Sequence, residues 1–329
     1  MKAIVLISGG LDSLLAVKAM QNQGIKVLAM NFLIPFLKND LVSSHNFFAK
    51  RIAEQLDCEY KIITLGEDYL EMMKNPRYGY GKNFNPCIDC KILMLKKAKN
   101  LMSEVGASFI ATGEVLGQRP MSQHKQALKS IEEASGLGGL LVRPLSALIL
   151  PMTIPQEKGW LNKELLFDIT GRGRGRQISL AKKWGIEEYP WPGGGCLLTD
   201  PHFCRRLKDL LKHDQLSIEN IELLKVGRHF RITPEFKIIV GRDRGENDKL
   251  VSLANSEDLL FEPSKLPGPT GVGRGISSKG LKDIAAKIIA RYTSLDEEVE
   301  IVYGNVSQKD KKTILVKGID EKQFKEWLL

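Results

Sequence analysis

The chain has 329 residues, 43% of them hydrophobic and 26% charged, and its 48 lysines and arginines against 39 aspartates and glutamates leave a net charge of +9. That length suits about two domains with real cores. Five cysteines are too few, and odd in number, for a disulfide scaffold of this size, and the apolar runs are too short for a transmembrane span. The basic balance admits a phosphate-backbone partner without establishing one. Met1-Lys2 leads straight into a core-like strand, so no signal peptide is expected; a cytoplasmic protein with no membrane partner is.

The first half has an α/β rhythm. Strands are predicted at 2–7, 27–32, 60–63 and 108–111, and helices at 12–23, 42–56, 88–104 and 119–138. Strands alternating with helices favour a parallel sheet covered on both faces, with ligands gathering at the carboxyl ends of the strands. Pro144, Pro151 and Pro155 punctuate an irregular stretch, followed by the basic run Gly171-Arg172-Gly173-Arg174-Gly175-Arg176 and a short helix around 177–184. Pro190-Trp191-Pro192-Gly193-Gly194-Gly195-Cys196 reads as a constrained loop delivering one thiol, with Trp191 either stacking on a base or bracing that loop, and 202–212 reads as helical. The texture then changes to paired strands at 230–232 and 236–240, a helix at 279–292, strands at 301–303 and 314–316, and a terminal helix at 321–328. The fold class expected is α/β with a second, smaller α+β domain, divided into 1–215 and 216–329. No repeat or low-complexity tract interrupts it.

Ser8-Gly9-Gly10-Leu11-Asp12-Ser13 follows the apolar stretch Ala3–Ile7 directly. A strand, a tight glycine turn and a helix start offer backbone N–H groups to an anion, and Ser13 adds a hydroxyl. Asp12 would repel a bare phosphate, so a metal-bound pyrophosphate resolves the conflict. No Gly-Lys-Ser/Thr follows, which excludes a Walker loop, and the Rossmann fingerprint is missing too. The string resembles the PP-loop signature of the ATP pyrophosphatases, which adenylate a carbonyl and release pyrophosphate. That resemblance implies ATP and Mg²⁺, with Ser8, Gly9, Gly10, Asp12 and Ser13 around the pyrophosphate. Asn31 and Phe32 after the second strand are candidates for adenine or ribose, and Gly113 for a close approach nearby. Asp12 is also a candidate catalytic residue.

Asn85-Pro86-Cys87-Ile88-Asp89-Cys90 places two thiols at a loop-to-helix start, where the helix field and Lys91 would favour thiolate. Cys196, on its glycine-rich loop, could join them in space. Three thiolates can ligate three irons of a four-iron cluster, leaving one iron open. With His202 they could close a zinc site, and without a metal Cys90 and Cys196 could act as a catalytic dithiol. The residues alone leave these open.

The N-terminal two-thirds resemble tRNA thiouridine synthetases of the PP-loop class. The Cys87–Cys90 block is similar to the first cysteine region of the tRNA 2-thiouridylases, where Cys90 matches the first active cysteine and Cys196 the second. Gly113-Glu114-Val115-Leu116-Gly117-Gln118 with Ser122-Gln123 instead resembles the 4-thiouridine synthetases, so the modified uridine stays open. Some relatives hold an open [4Fe-4S] cluster with a Cys-X-X-Cys pair plus a remote cysteine. The resemblance therefore implies Cys87, Cys90 and Cys196 as cluster ligands, and Cys90 and Cys196 as catalytic. The C-terminal part resembles the NFACT-R-like RNA-binding module, best at Val240-Gly241-Arg242-Asp243-Arg244-Gly245-Glu246-Asn247-Asp248. An additional RNA-binding domain before the PP-loop and a rhodanese-like domain are not expected, so sulfide or a separate donor would bring sulfur.

The implied partner is tRNA, with a homodimer compatible with RNA spanning two subunits. Gln118, Arg119, Gln123, His124 and Lys125 could line the RNA side. Arg172, Arg174 and Arg176 suit an extended backbone contact. Arg228, Arg231, Arg242, Arg244 and Lys249 form a second basic surface, diluted by Asp243, Glu246 and Asp248. The rival readings are a metal-independent persulfide sulfurtransferase, an adenylating enzyme acting on a small metabolite, and a nucleotide-regulated RNA-binding protein without catalysis.

Overall fold

The alternation in the first half folds into a five-stranded sheet whose strands lie in the spatial order 59–64, 26–33, 2–7, 109–112 and 141–142, every neighbouring pair parallel. The computed structural model describes residues 1–37, 51, 54–189, 195–293, 297–307 and 311–329. The helical spacing expected at 42–56 falls largely outside these residues, as does the 190–194 part of the cysteine loop with Trp191. The chain divides into two units, Met1–Thr199 and Asp200–Leu329. The division falls ahead of the expected 215/216 boundary because helix Pro201–Lys212 is tied into the second unit. Its Asp209 accepts from the Arg231 guanidinium and its Arg206 donates to the Gly227 carbonyl.

In the first unit β1 is Lys2–Ile7, α1 Leu11–Gln21, β2 Lys26–Leu33, β3 Glu59–Thr64, α2 Glu67–Lys74, α3 Cys87–Leu101, β4 Phe109–Thr112, α4 Lys125–Ser135, β5 Leu141–Val142, α5 Ile154–Glu157 and α6 Gly175–Lys183. Central strands of a parallel sheet are covered on both faces and so read as continuous apolar runs. Accordingly Ala3, Ile4 and Val5 of β1 and all four residues of β4 are buried. Helix α4 is shorter than the expected 119–138. His124 caps it by accepting from the Ala127 N–H, and Gly136 ends it in the left-handed region at φ 70°. The chain leaves β1 for β2 on one side and returns to β4 on the other, so the crevice beyond the ends of β1 and β4 is the topological switch point.

The second unit is built on a six-stranded antiparallel sheet whose strands lie in the spatial order 312–317, 298–305, 259–263, 271–275, 236–240 and 228–233. Its elements are α7 Pro201–Lys212, α8 Ile218–Leu224, β6 Arg228–Thr233, β7 Phe236–Val240, α9 Arg244–Leu253, β8 Leu259–Pro263, β9 Gly271–Gly275, α10 Lys279–Arg291, β10 Glu298–Asn305, β11 Lys312–Lys317 and α11 Glu321–Trp327. One face packs Phe236, Ile238 and Phe261 against Ile288 and Ile289 of α10, and the other packs Ile239 and Val272 against Leu223 and Leu250. No helix among the described residues is long and apolar enough to cross a membrane.

Candidate active site

The loop after β1 leads into α1 through Gly9, whose φ of 75° suits glycine, and Gly10, which caps the helix with no side-chain bond. The first turn of α1 therefore keeps donors for an anion. The Ser13 hydroxyl donates to the Gly10 carbonyl at 2.7 Å and accepts from the Ser8 N–H at 3.2 Å, so it holds the loop shape. Gly113 lies against this loop: a Cβ there would come within 2.4 Å of the Asp12 carbonyl and 2.6 Å of the Ser13 nitrogen. Its need for glycine is packing of the β4 end on the loop backbone. Asn31 donates to the Ile7 carbonyl at 2.9 Å, which fastens the end of β2 to the end of β1.

Cys87 opens α3 directly after Pro86, and Cys90 lies one turn on. Asp89 points away from the sulfurs. Its two carboxylate oxygens accept from the Arg77 and Tyr78 N–H groups at 3.0 Å each and pin the loop ahead of α3. Asn85 donates to the Cys87 sulfur at 3.2 Å. Cys196 reaches the site by another route. It pairs with Leu37 in an isolated antiparallel bridge, and the Leu197 N–H donates to the Phe36 carbonyl at 2.8 Å. One cavity of about 330 Å³ is lined by Ser8, Gly10, Asp12 and Ser13 of the loop and by Cys87, Cys90 and Cys196. Asn31, Phe32 and Gly113 line it as well. A larger hollow of about 930 Å³ lies at the amino ends of β2 and β3, the end of a parallel sheet where ligands do not gather.

The favourable thiolate field expected at Cys90 is not met. Burial pushes its thiol up to about 11, although a hydrogen bond from Tyr69 and the charge of Lys91 oppose this. The ammonium of Lys91 is engaged by Glu114, which also accepts from Arg143 Nε and Thr112 Oγ1 at 3.1 Å each. Arg143 in turn donates to Glu132 and to the Leu128 carbonyl, both at 3.0 Å. Burial works against the Glu114 carboxylate, but Lys91 and Arg143 prevail and hold its pKa at about 2. Tyr69, buried on α2, is pushed well above the ordinary tyrosine value by burial and by the three nearby sulfurs. Among the described residues no group of three or more His, Cys, Asp or Glu side chains stands arranged to hold a metal ion.

The residues expected on the RNA side separate. Gln118 turns inward and donates to Asp12 Oδ2 at 2.8 Å, because the loop 116–123 folds over the switch point. Gln123 is buried at the same cavity, which Arg119 and Arg174 also line. Lys125, His124 and Arg172 are exposed, and Arg176 is exposed but paired with Asp168 at 2.6 Å. In the second unit Arg242 and Arg244 are exposed, with Arg242 forked onto Glu246. Sequence reasoning did not single out Tyr69, Glu132 or Arg143. Arg143 carried a signal, as an arginine directly after the apolar pair Leu141-Val142; Tyr69 carried none.

Residues 1–149 match the family described as thiamine biosynthesis protein (ThiI), and residues 227–328 match the NFACT protein RNA binding domain. The chain thus carries a ThiI-like segment followed by an NFACT-like one. The tRNA-specific 2-thiouridylase MnmA of Helicobacter hepaticus is 27% identical over 146 residues, covering 41% of this chain and 40% of that protein. A probable tRNA sulfurtransferase of Methanothermobacter thermautotrophicus is 30% identical over 204 residues, 61% of this chain and 45% of that protein. Among solved structures, a 4-thiouridine synthetase–RNA complex with bound ATP aligns at TM-score 0.40 and 19% identity, over 68% of this chain and 52% of that one. The chain spans less than half the length of the first curated relatives it matches, at 40%, 46% and 37%. In the ThiI-type domain the glycine loop and Cys87–Cys90 both fall inside the matched residues, whereas Cys196 lies beyond them.

Proposed function

We propose that this protein is an ATP-dependent tRNA thiouridine synthetase. The observation that supports it is the single cavity shared by the PP-loop and all three cysteines. A uracil carbonyl oxygen would attack the α-phosphorus of ATP and expel pyrophosphate onto the bare start of α1. A sulfur species would then add to the activated carbon, and AMP would leave with the original oxygen. Asp12 suits Mg²⁺: its Oδ1 is buried with no hydrogen-bond partner, and a carboxylate facing a polyphosphate requires a cation between them.

Cys87, Cys90 and Cys196 are the residues that would hold a [4Fe-4S] cluster, and a cluster held by three cysteines supplies an open iron for sulfide. The donor chemistry fits, since all three sulfurs line one cavity and Tyr69 stands beside them. In a second reading Cys90 and Cys196, which line the same cavity, work as a metal-free persulfide pair. The basic side chains at the cavity mouth, Arg119 and Arg174, would meet the RNA backbone, and exposed Lys125, Arg172 and Arg176 would extend that contact. The NFACT domain, with Arg242 and Arg244, would supply the second hold on tRNA.

Purified protein with tRNA, ATP and sulfide under anaerobic conditions is expected to yield a thionucleoside by mass spectrometry. Cys196→Ser is expected to abolish it. Turnover of a small substrate without RNA dependence, or thiolated tRNA from a variant lacking all three cysteines, overturns the reading. Iron and labile-sulfide analysis of the anaerobic protein separates cluster from persulfide, with about four irons per active chain marking the cluster.

A further inference from the structure

The loop between β4 and α4 carries more than an RNA-facing edge. Gln118 donates its amide N–H to Asp12 Oδ2 at 2.8 Å, across 106 residues of sequence. The amide orientation follows from chemistry, since a carboxylate accepts only from the nitrogen side. This leaves Asp12 Oδ1 and Gln118 Oε1, two buried acceptor oxygens with no hydrogen-bond partner. Gln123 on the same loop is 6% exposed, lines the cavity, and has a third unpaired buried oxygen. Loop geometry holds these residues inward: the Gly117 N–H donates to the Gln123 carbonyl at 2.7 Å, and the Gly171 N–H to the Leu116 carbonyl at 2.8 Å.

Buried acceptors left without a partner are costly. The ligand that the glycine loop is built to hold, a polyphosphate, brings further acceptor oxygens. Acceptors facing acceptors are reconciled only by a cation, and hard oxygen donors, one anionic and one amide, suit a divalent ion. We infer that Gln118 belongs to the metal site: it fixes the rotamer of Asp12 through its N–H and offers its own carbonyl oxygen to the divalent cation that accompanies ATP. The inference rests on the PP-loop reading, but it assigns to the metal a residue whose sequence context placed it on the RNA side. Gln118 binds the cation, and its contribution to RNA contact is indirect.

The test uses the full chain with Mn²⁺ as a paramagnetic probe and α,β-methylene-ATP, which cannot release pyrophosphate. Wild-type protein is expected to take up one Mn²⁺ with the nucleotide, read as loss of the free-ion EPR signal. Gln118→Ala is expected to weaken Mn²⁺ uptake at least ~10-fold, with unchanged nucleotide binding in EDTA. Gln118→Glu places two carboxylates together, so it is expected to lower Tm without metal and to show a larger Mn²⁺-induced rise in Tm than wild type. A purely structural role predicts the same loss in Gln118→Glu but no rescue by Mn²⁺, and that result overturns the inference. Wild-type Mn²⁺ affinity in Gln118→Ala, in a protein that still thiolates tRNA, sinks the inference and leaves the proposed function standing. Failure of the wild type to bind the nucleotide sinks both.

Discussion

Each unit buries a cluster of charges, and the two are built on opposite plans. In the first unit Glu114 is 4% exposed and sits between Lys91, Arg143 and Thr112, with Glu132 behind Arg143. Every charge there has a partner, and the cluster borders the cavity that holds the cysteines and the glycine loop. In the second unit Lys237 is 1% exposed on β7, opposite Arg231 of β6 and Arg274 of β9. Those arginines are forked onto Asp209 and Asp258, but the Lys237 ammonium has no hydrogen-bond partner. Burial, with Arg231 and Arg274 alongside, pushes it down to about 7 against the pull of Asp209 and Asp258. A paired buried charge is fixed by its neighbours, whereas an unpaired one gives up its proton instead. The first cluster can therefore stay charged beside reactive groups at neutral pH, whereas the lysine at the centre of the second is only about half protonated there.

Removing the hub of the paired cluster breaks this contrast most strongly. Glu114→Ala strands Lys91 and leaves Arg143 with only Glu132 and the Leu128 carbonyl, and is expected to lower stability by about 3–5 kcal/mol, read by urea unfolding. In the wild type the Glu114 carboxylate, held at about 2 against an ordinary 4.5, contributes stability that is complete above pH ~4.5 and lost as pH falls through 2. Glu114→Ala should flatten that acid limb; an unchanged limb would mean that the ion pairs are not formed.

Lys237→Met sharpens the comparison from the other side. A well-packed apolar replacement for an unpaired buried amine is expected to stabilise by about 1–4 kcal/mol. The lysine's pKa lies at about 7 in the folded protein against 10.5 when exposed, so the unfolded chain binds more protons between these values. Wild-type stability should accordingly climb from pH 7 towards 10, and Lys237→Met should lose that climb. A destabilised variant would point to an unseen anion on the ammonium. The smallest effect is expected at the surface. Arg176→Ala removes an exposed pair with Asp168 and should leave stability essentially unchanged, while under the proposed function it reduces the salt dependence of tRNA binding by about one unit of slope.

The regular elements of the first unit were legible because a parallel sheet writes its burial into continuous apolar strands. The predicted strands at 2–7, 27–32, 60–63 and 108–111 meet β1–β4 within about two residues. Helix α2 was not read, and with it Tyr69 stayed hidden. In the second unit β9 was missed for a physical reason. Gly271-Val272-Gly273-Arg274-Gly275 has poor strand propensity, yet a Cβ at Gly271 would come within 2.5 Å of Ile289 and one at Gly273 within 2.9 Å of Phe236. The strand is glycine-rich because a helix and an aromatic ring press on it, which is a fact of packing and not of local preference. The cysteines were legible as types and spacings, but the state of Cys90 was not: proximity to Lys91 suggested a thiolate, whereas burial in the folded chain favours the thiol.

Local chemistry alone settled the glycine loop at the end of β1, the thiol pair at the head of α3 and the change of texture in the second half of the chain. Each is a contiguous string whose backbone demands can be read residue by residue. Tertiary structure decided which distant groups share a cavity: Cys196 beside Cys87 and Cys90, Gln118 against Asp12, and Glu114 between Lys91 and Arg143. Those pairings depend on strand order and on loops crossing the switch point, and the free energy that sets them comes from burying whole elements, which no short window of sequence contains.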